Sequence, residues 1–301
     1  MASVTSPEGA VSRVETHHAG TTTIRDRINS AIMYFLLTLL ALLSVYPFWW
    51  MIVASTRRSA TILTAPPPLL PGNSLVLNYE QLVAQLPYWR NTINSMGVAG
   101  IHTILVLFFC SLGGYAFAKF RFPGRDKLFA IMLATMMIPS VLGIIPSFML
   151  MRWLGWLEGA DNYLPLIVPG IANAFGIFWM RQYISSAIPD DLMDAARIDG
   201  AHEFGIYWRI VLPVVTPALA ALAIFTFMGK WNDFFWPLIV LKDEIDYTLP
   251  VALASLPNLY SNEIGVQLLG ATIAIAPVMI VFLLSARRFM AGLTAGAVKG
   301  V

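Results

Sequence analysis

Six continuously apolar stretches of this chain contain no Asp, Glu, Lys or Arg: residues 28–56, 91–118, 128–151, 162–180, 210–229 and 264–286. Each reaches the roughly 20 residues that a helix needs to cross about 30 Å of hydrocarbon. No local motif restricts the fold as strongly. In lipid the backbone must satisfy its own hydrogen bonds, so only helices or closed barrels can span. A barrel strand alternates apolar and polar positions, whereas these stretches are continuously apolar. The expected fold is therefore all-α, a polytopic membrane protein with six transmembrane helices. Composition agrees: 12% of the 301 residues are charged, about half the fraction of an ordinary soluble domain. A net charge of +2 supplies no basic footprint, so no nucleic-acid partner is expected. The single cysteine, Cys110, leaves no internal disulfide and no cysteine-based metal set.

The stretches are not equivalent. The first is longer than a membrane requires and closes on Tyr46-Pro47-Phe48-Trp49-Trp50, an aromatic belt of the kind found at the interface, with a turn expected behind it. Residues 162–180 carry Pro165, Pro169, Gly170, Asn173 and Gly176, which predicts a kink. The apolar piece 233–241 is too short for a seventh span. With the amino terminus inside, thirteen of the Lys and Arg residues fall on the cytoplasmic side and six outside, which predicts that both termini are cytoplasmic. The expected layout is a mobile cytoplasmic tail over 1–27, a six-helix membrane domain over 28–286, and a second cytoplasmic tail over 287–301. The polar start followed by so long an apolar run does not read as a cleavable signal peptide.

Two loops stand out. In the outside loop 57–90, Asn78 with Gln81 offers a capping box, and Tyr79, Leu82, Val83 and Leu86 fall at the spacing of one apolar helix face. This reads as a short helix on the membrane surface, or as a lip that meets an external partner. The cytoplasmic loop 181–209 is longer than most connections and holds Asp190, Asp191, Asp194, Asp199 and Glu203 with three arginines. Pro189 followed by two aspartates is a good helix start. Leu192, Ala195 and Ala196 share a predicted face, Gly200 is placed to end the helix, and a second short helix is predicted to run on to Leu212-Pro213. A docking hairpin and a merely solvated one are both compatible with these residues.

Polar groups inside the spans are costly and are candidates for a transport path. They are Asn94, His102, Asn173 and Gln267, with Asn232 at the outer end of the fifth span. Each has a structural alternative. His102 can be a neutral histidine bonded to a neighbouring helix, since no membrane-embedded acid lies near it in sequence. Asn173 sits between Ala172 and Gly176, a small-residue pair suited to helix packing. The segment Lys230-Trp231-Asn232-Asp233 is compatible both with lining the path and with a simple interface cap in which Lys230 pairs with Asp233. No catalytic nucleophile–base pair and no phosphate-binding G-x-x-x-x-G-K-[ST] loop is present in the sequence.

The run Asp194-Ala195-Ala196, Gly200, Ile210, Leu212-Pro213 resembles the EAA loop of permease subunits in binding-protein-dependent ABC importers. Every spacing fits, and Asp194 stands where the pattern has Glu. Further blocks resemble the carbohydrate-uptake class, in the order of the maltose-type second permease subunit. They are Tyr115 to Gly124, Ile188 to Leu192, Ile198 to Ala201, Leu212 to Leu219, Trp231 to Pro237 and Gly292 to Gly300. The resemblance covers the chain from about residue 28 onward. It implies a multi-pass permease, not an enzyme, in a bacterial-type plasma (inner) membrane. The implied partners are a homologous second permease subunit, two ATP-binding subunits and an extracytoplasmic sugar-binding protein. No cofactor is bound directly, since ATP and Mg belong to the partner ATPases. It also implies that Asp194, Ala195, Ala196, Asp199 and Gly200 dock on an ATPase, that Leu212-Pro213 joins this loop to the next span, and that Gly296, Ala297, Lys299 and Gly300 belong to a tail reaching the ATPase pair. A glycerol-phosphate importer subunit is the alternative within this class. An anionic substrate wants a cation in the path, and none lies within the six stretches. An ion-coupled secondary transporter is disfavoured by the absence of embedded acids.

Overall fold

The computed structural model of the chain describes residues 24–158, 162–259 and 263–297. Among them the regular structure is entirely helical. The order is α1 (Ile24–Ser55), α2 (Ser59–Ile62), α3 (Leu75–Gln85), α4 (Tyr88–Lys119), α5 (Arg125–Thr135), a 3-10 turn (Ser140–Gly143) and α6 (Ile144–Trp153). Then follow α7 (Leu164–Ile167), α8 (Ala174–Ala187), α9 (Asp190–Ile198), α10 (Glu203–Ile206), a π turn (Tyr207–Val211) and α11 (Leu212–Val214). The chain continues through α12 (Thr216–Trp231), α13 (Phe235–Val240), α14 (Leu249–Leu259) and α15 (Ile264–Ala297).

The chain divides into two compact units, one reaching Trp49 and one starting at Trp50. The first consists, in its described part, of α1 as far as Trp49. Pro47 is accommodated inside α1 and the helix runs on to Ser55, so the turn expected behind the aromatic belt does not form there. The remaining architecture belongs to the second unit.

Among the described residues, three helices are long and apolar enough to cross a membrane: Arg27–Ser55, Tyr88–Lys119 and Ile264–Leu283. Two further stretches pass only as bent pairs. Arg125–Thr135 with Ser140–Trp153 turns through 91°, and Glu203–Val214 with Thr216–Trp231 turns through 78°. The count is thus three straight helices, or five if each bent pair is one span. Proline accounts for these breaks. The residue before a proline avoids the helical region, and Pro139 precedes the first break's 3-10 turn. In the second, the break falls at Val215, at φ −91° and ψ 8°, and Pro217, which has no N–H to continue the helical bonding, opens α12. The kink expected in 162–180 is a complete interruption. Pro165 starts the single turn of α7, Gly170 takes a left-handed φ of 82°, and α8 restarts behind the Asn173 cap.

α4 is the central element, and the apolar core forms in three clusters along it. Val106, Cys110 and Tyr115 of α4 pack with Met180 and Ile184 of α8, and with Ala218 and Leu222 of α12. Tyr88 and Ala99 belong to a cluster with Leu82, Phe227, Leu249 and Leu269. Val98 joins Met151, Leu166 and Val240. α4 and α8 approach closely at Gly114: a Cβ there would lie 2.5 Å from Met180 Cβ and 2.8 Å from the Arg181 backbone nitrogen.

The 57–90 segment departs from its expected capping. Asn78 lies inside α3 instead of at its start, and it is buried. Its Nδ2 donates to Ser55 O and Arg57 O at 2.8 and 2.9 Å, tying α3 back to the last residue of α1 and the turn that follows it. Of the predicted apolar face, Leu82 and Leu86 are buried while Tyr79 and Val83 are exposed.

Candidate functional site

The 181–209 segment folds as the hairpin that its sequence predicts. Pro189, extended at φ −63° and ψ 148°, leads into α9, whose first turn holds Asp190 and Asp191. These carboxylates face the positive end of the helix dipole. α9 closes in a Schellman motif: the Ala201 N–H donates to Ala196 O and the Gly200 N–H to Arg197 O, both at 3.0 Å. Gly200 supplies the left-handed φ of 79° that this closure needs. The His202 Nδ1 then accepts the Gly205 N–H at 2.9 Å and caps α10. The chain returns through the π turn, where the Leu212 N–H reaches back to Tyr207 O.

The face predicted from Leu192, Ala195 and Ala196 divides between the core and the exterior. Met193 and Ala196 are buried, whereas Leu192 and Ala195 face outward. Met193, Ala196, Ile206 and Tyr207 share one core cluster with Val106, Met180 and Ile184. The hairpin is therefore a continuation of the bundle core, and it presents a separate apolar strip of Leu192, Ala195 and Ile198, the last 86% exposed.

Polar bonds fasten the hairpin to the end of α4. Lys119 Nζ donates to Ile188 O and to Asp190 Oδ1; the Asp190 contact is 2.6 Å, and only 4% of the lysine side chain is exposed. The hydrogen bond and charge of Lys119 hold the Asp190 carboxyl below its usual range. The Tyr115 hydroxyl donates to Glu203 Oε2 at 2.7 Å. Arg197 donates to Glu203 Oε1 at 2.8 Å and to Asp194 Oδ1 at 2.9 Å. A chain of four side chains thus joins α4, α10 and α9. The Ser111 and Tyr207 hydroxyls add a buried bond of 2.7 Å.

The predicted docking residues Asp194, Ala195, Ala196, Asp199 and Gly200 are together on this hairpin, with Asp194, Ala195, Asp199 and Gly200 exposed and Ala196 buried. Leu212 and Pro213 stand at its return to α12, half-buried and exposed respectively. Sequence reasoning missed Met193, Tyr115, Lys119 and Glu203 as hairpin anchors. Gly296 and Ala297 lie in the last turn of α15, and Lys299 and Gly300 fall outside the described residues.

The four path candidates separate. Asn94 Nδ2 donates to Ile245 O and Tyr247 O, which fixes the loop before α14 onto α4. Asn232 caps α12 by donating to Met228 O at 2.9 Å. His102 and Asn173, by contrast, line one cavity of about 290 Å³ with Leu222, Thr226, Lys230 and Asp233. Within it, the ring of His102 bonds Ile167 O through Nδ1 at 2.7 Å, and Asn173 accepts the Gly176 N–H at 2.8 Å to cap α8. Gln267 lies half-buried on α15. Lys230 and Asp233 also line a second cavity of about 420 Å³, formed with Ser140, Ser147, Pro169 and Trp236. They pair at 3.4 Å. A cation therefore does stand at a cavity of the fold. The reason is that α12 runs on to Trp231, two residues beyond the end of the uncharged stretch.

Residues 110–296 match the family described as the inner membrane component of binding-protein-dependent transport systems. The chain belongs to that family, whose members are transport permeases and not enzymes. Similar relatives are the arabinooligosaccharides transport system permease protein AraQ of Halalkalibacterium halodurans, 41% identical over 71% of this chain and 75% of that protein, and the lactose transport system permease protein LacG of Rhizobium radiobacter, 36% identical over 92% and 99%. Among solved structures, a chain of a bacterial ABC transporter involved in the import of the acidic polysaccharide alginate superposes with a TM-score of 0.76. It is 30% identical over 89% of this chain and 98% of that one.

Proposed function

We propose that this chain is one of two permease subunits of an ATP-driven importer that takes up a sugar or oligosaccharide delivered by an extracytoplasmic binding protein. The observation that carries the coupling role is the 181–209 hairpin. It is packed into the bundle core through Met193, Ala196, Ile206 and Tyr207, yet it offers Leu192, Ala195 and Ile198 outward. ATP, with its magnesium, binds to two separate ATPase subunits, one of which receives that outward strip. When those subunits close, α9 moves with them as a rigid piece, and the Asp190–Lys119 bond, with the relay from Arg197 through Glu203 to Tyr115, carries the motion into α4. ATP drives the cycle only through its different affinity for the two states.

In this reading the six-span layout holds. α5 with α6 is one bent span, α10 to α12 another, and α7 with α8 an interrupted one. Both termini are cytoplasmic, with tails over 1–27 and 287–301, the second reaching the ATPase pair. The membrane is a bacterial-type plasma membrane. The neutral-sugar class is supported by the names of AraQ and LacG.

The test is sugar uptake and sugar-stimulated ATP hydrolysis by the complete transporter in proteoliposomes. Gly200→Val forces a β-branched residue into the left-handed region, at a cost of about 1–2 kcal/mol, and Asp194→Lys sets a cation against Arg197. Both variants are expected to insert and to lose stimulated hydrolysis and uptake together. Normal transport by either, with normal insertion, would reduce the hairpin to a solvated turn.

A further inference from the structure

The Lys230–Asp233 pair does not behave as a sealed salt bridge. At 3.4 Å it is longer than the 2.7–2.9 Å typical of a charge-assisted bond. The side chains are 19% and 24% exposed, and both face the two neighbouring cavities. The ammonium has three donors and spends one on Asp233 Oδ2. The carboxylate accepts about four hydrogen bonds and receives this one. Capacity is therefore left on both groups, pointing into open volume.

The walls around the pair have a matching character. Trp236 lines the larger cavity, and its indole Nε1 donates to Pro165 O at 2.8 Å, which fixes the ring plane. Ser140 and Ser147 line the same cavity. On the other side of the pair stand His102 and Asn173, each already held by the backbone bonds described above. An immobilised aromatic surface beside a few convergent donors and acceptors is the general form of a polar-ligand pocket.

We propose that Lys230, Asp233 and Trp236 form a subsite for a neutral saccharide unit within this chain. One hydroxyl of a vicinal diol donates to the Asp233 carboxylate and its neighbour accepts from the Lys230 ammonium, while Trp236 covers an apolar face of the ring. The paired charges cancel, so the subsite selects hydroxyl pairs and not net charge. This rests on the sugar-import reading above and deepens it, because it makes this subunit touch the substrate.

The experiment uses the complete transporter in proteoliposomes, with lactose, an arabinooligosaccharide and an alginate oligosaccharide as probes, each with a binding protein that delivers it. Complex assembly is checked by co-purification. Asp233→Asn keeps the shape of the side chain and removes its charge; uptake of the neutral probe that the wild type carries is expected to fall at least tenfold. Asp233→Glu should recover part of the loss. The exchanged double variant Lys230→Asp/Asp233→Lys keeps the ion pair, and it should assemble but leave uptake low. Full uptake in the exchanged variant, or unchanged uptake in Asp233→Asn, would overturn the subsite and leave the pair as a staple at the end of α12. Wild-type preference for the alginate probe, abolished by Lys230→Met alone, would overturn the neutral-saccharide assignment. Absence of ATP-dependent uptake of every probe by an assembled wild-type transporter would instead sink the import reading itself.

Discussion

Single residues here matter through what their neighbours forbid. Gly114 is legible in the sequence only as a small residue near the end of α4. In the fold its missing Cβ is the space occupied by Met180 and the Arg181 backbone. Gly114→Leu is expected to push α4 and α8 apart at a cost of about 1–3 kcal/mol, the usual range for overpacking. The thermal midpoint of the purified complex should drop by several degrees, and an unchanged midpoint would show that the helices yield easily. Gly200 was readable in advance, because a helix-ending glycine follows from local chemistry alone. Asn78 was misread for the opposite reason. Its spacing to Gln81 looks like a cap, but its amide is used by Ser55 O and Arg57 O, and that demand lies more than twenty residues away in sequence.

At the scale of elements, the hairpin's strength lies in its fastening to α4. Lys119 sits 71 residues from Asp190, and Tyr115 sits 88 from Glu203. Lys119→Met strands Ile188 O and Asp190, and after discounting for the exposed carboxylate it should cost about 1–2 kcal/mol. Backbone amides of α9 should then exchange about tenfold faster, while those of α12 stay as they were. Tyr115→Phe keeps the ring packed and removes one bond; it is expected to lower the amount of sugar moved per ATP hydrolysed. The Asp190 carboxyl is held below its ordinary range by Lys119, so its contribution is fully present above about pH 4 and is lost only as the pH falls through the lower folded value. After correction for intrinsic chemistry, α9 exchange should be flat between about pH 5 and 8; a rise within that window would contradict the assignment. Of the predicted α9 face, Leu192 and Ala195 lie exposed and Ala196 is buried with Met193. Periodicity identifies that a face exists, but only the position of α4 and α8 decides that Met193 turns inward.

For the whole molecule, the proposed six-span topology is open to a direct measurement. Cys110 is the one cysteine of the chain and is buried, so Cys110→Ser provides a background for single-cysteine labelling. With a membrane-impermeant maleimide on intact cells, Asn73→Cys should label, and Ser186→Cys should label only after the membrane is opened. Both positions are exposed in the fold. Reversed accessibility would invert the orientation. The sequence alone determined the helical, membrane-embedded class, the hairpin's start and stop, and its family resemblance. These rest on composition, hydrophobic run length and cap chemistry, all of which act over a few residues. Only the tertiary structure decided that two of the apolar stretches fold as helix pairs bent by 91° and 78°, that 162–180 breaks outright, that Asn94 and Asn232 serve the frame while His102 and Asn173 face a cavity, and that Lys230 stands with Asp233 between two cavities. Those outcomes depend on which backbone carbonyls and side chains meet across dozens of residues, and no local pattern encodes that distance.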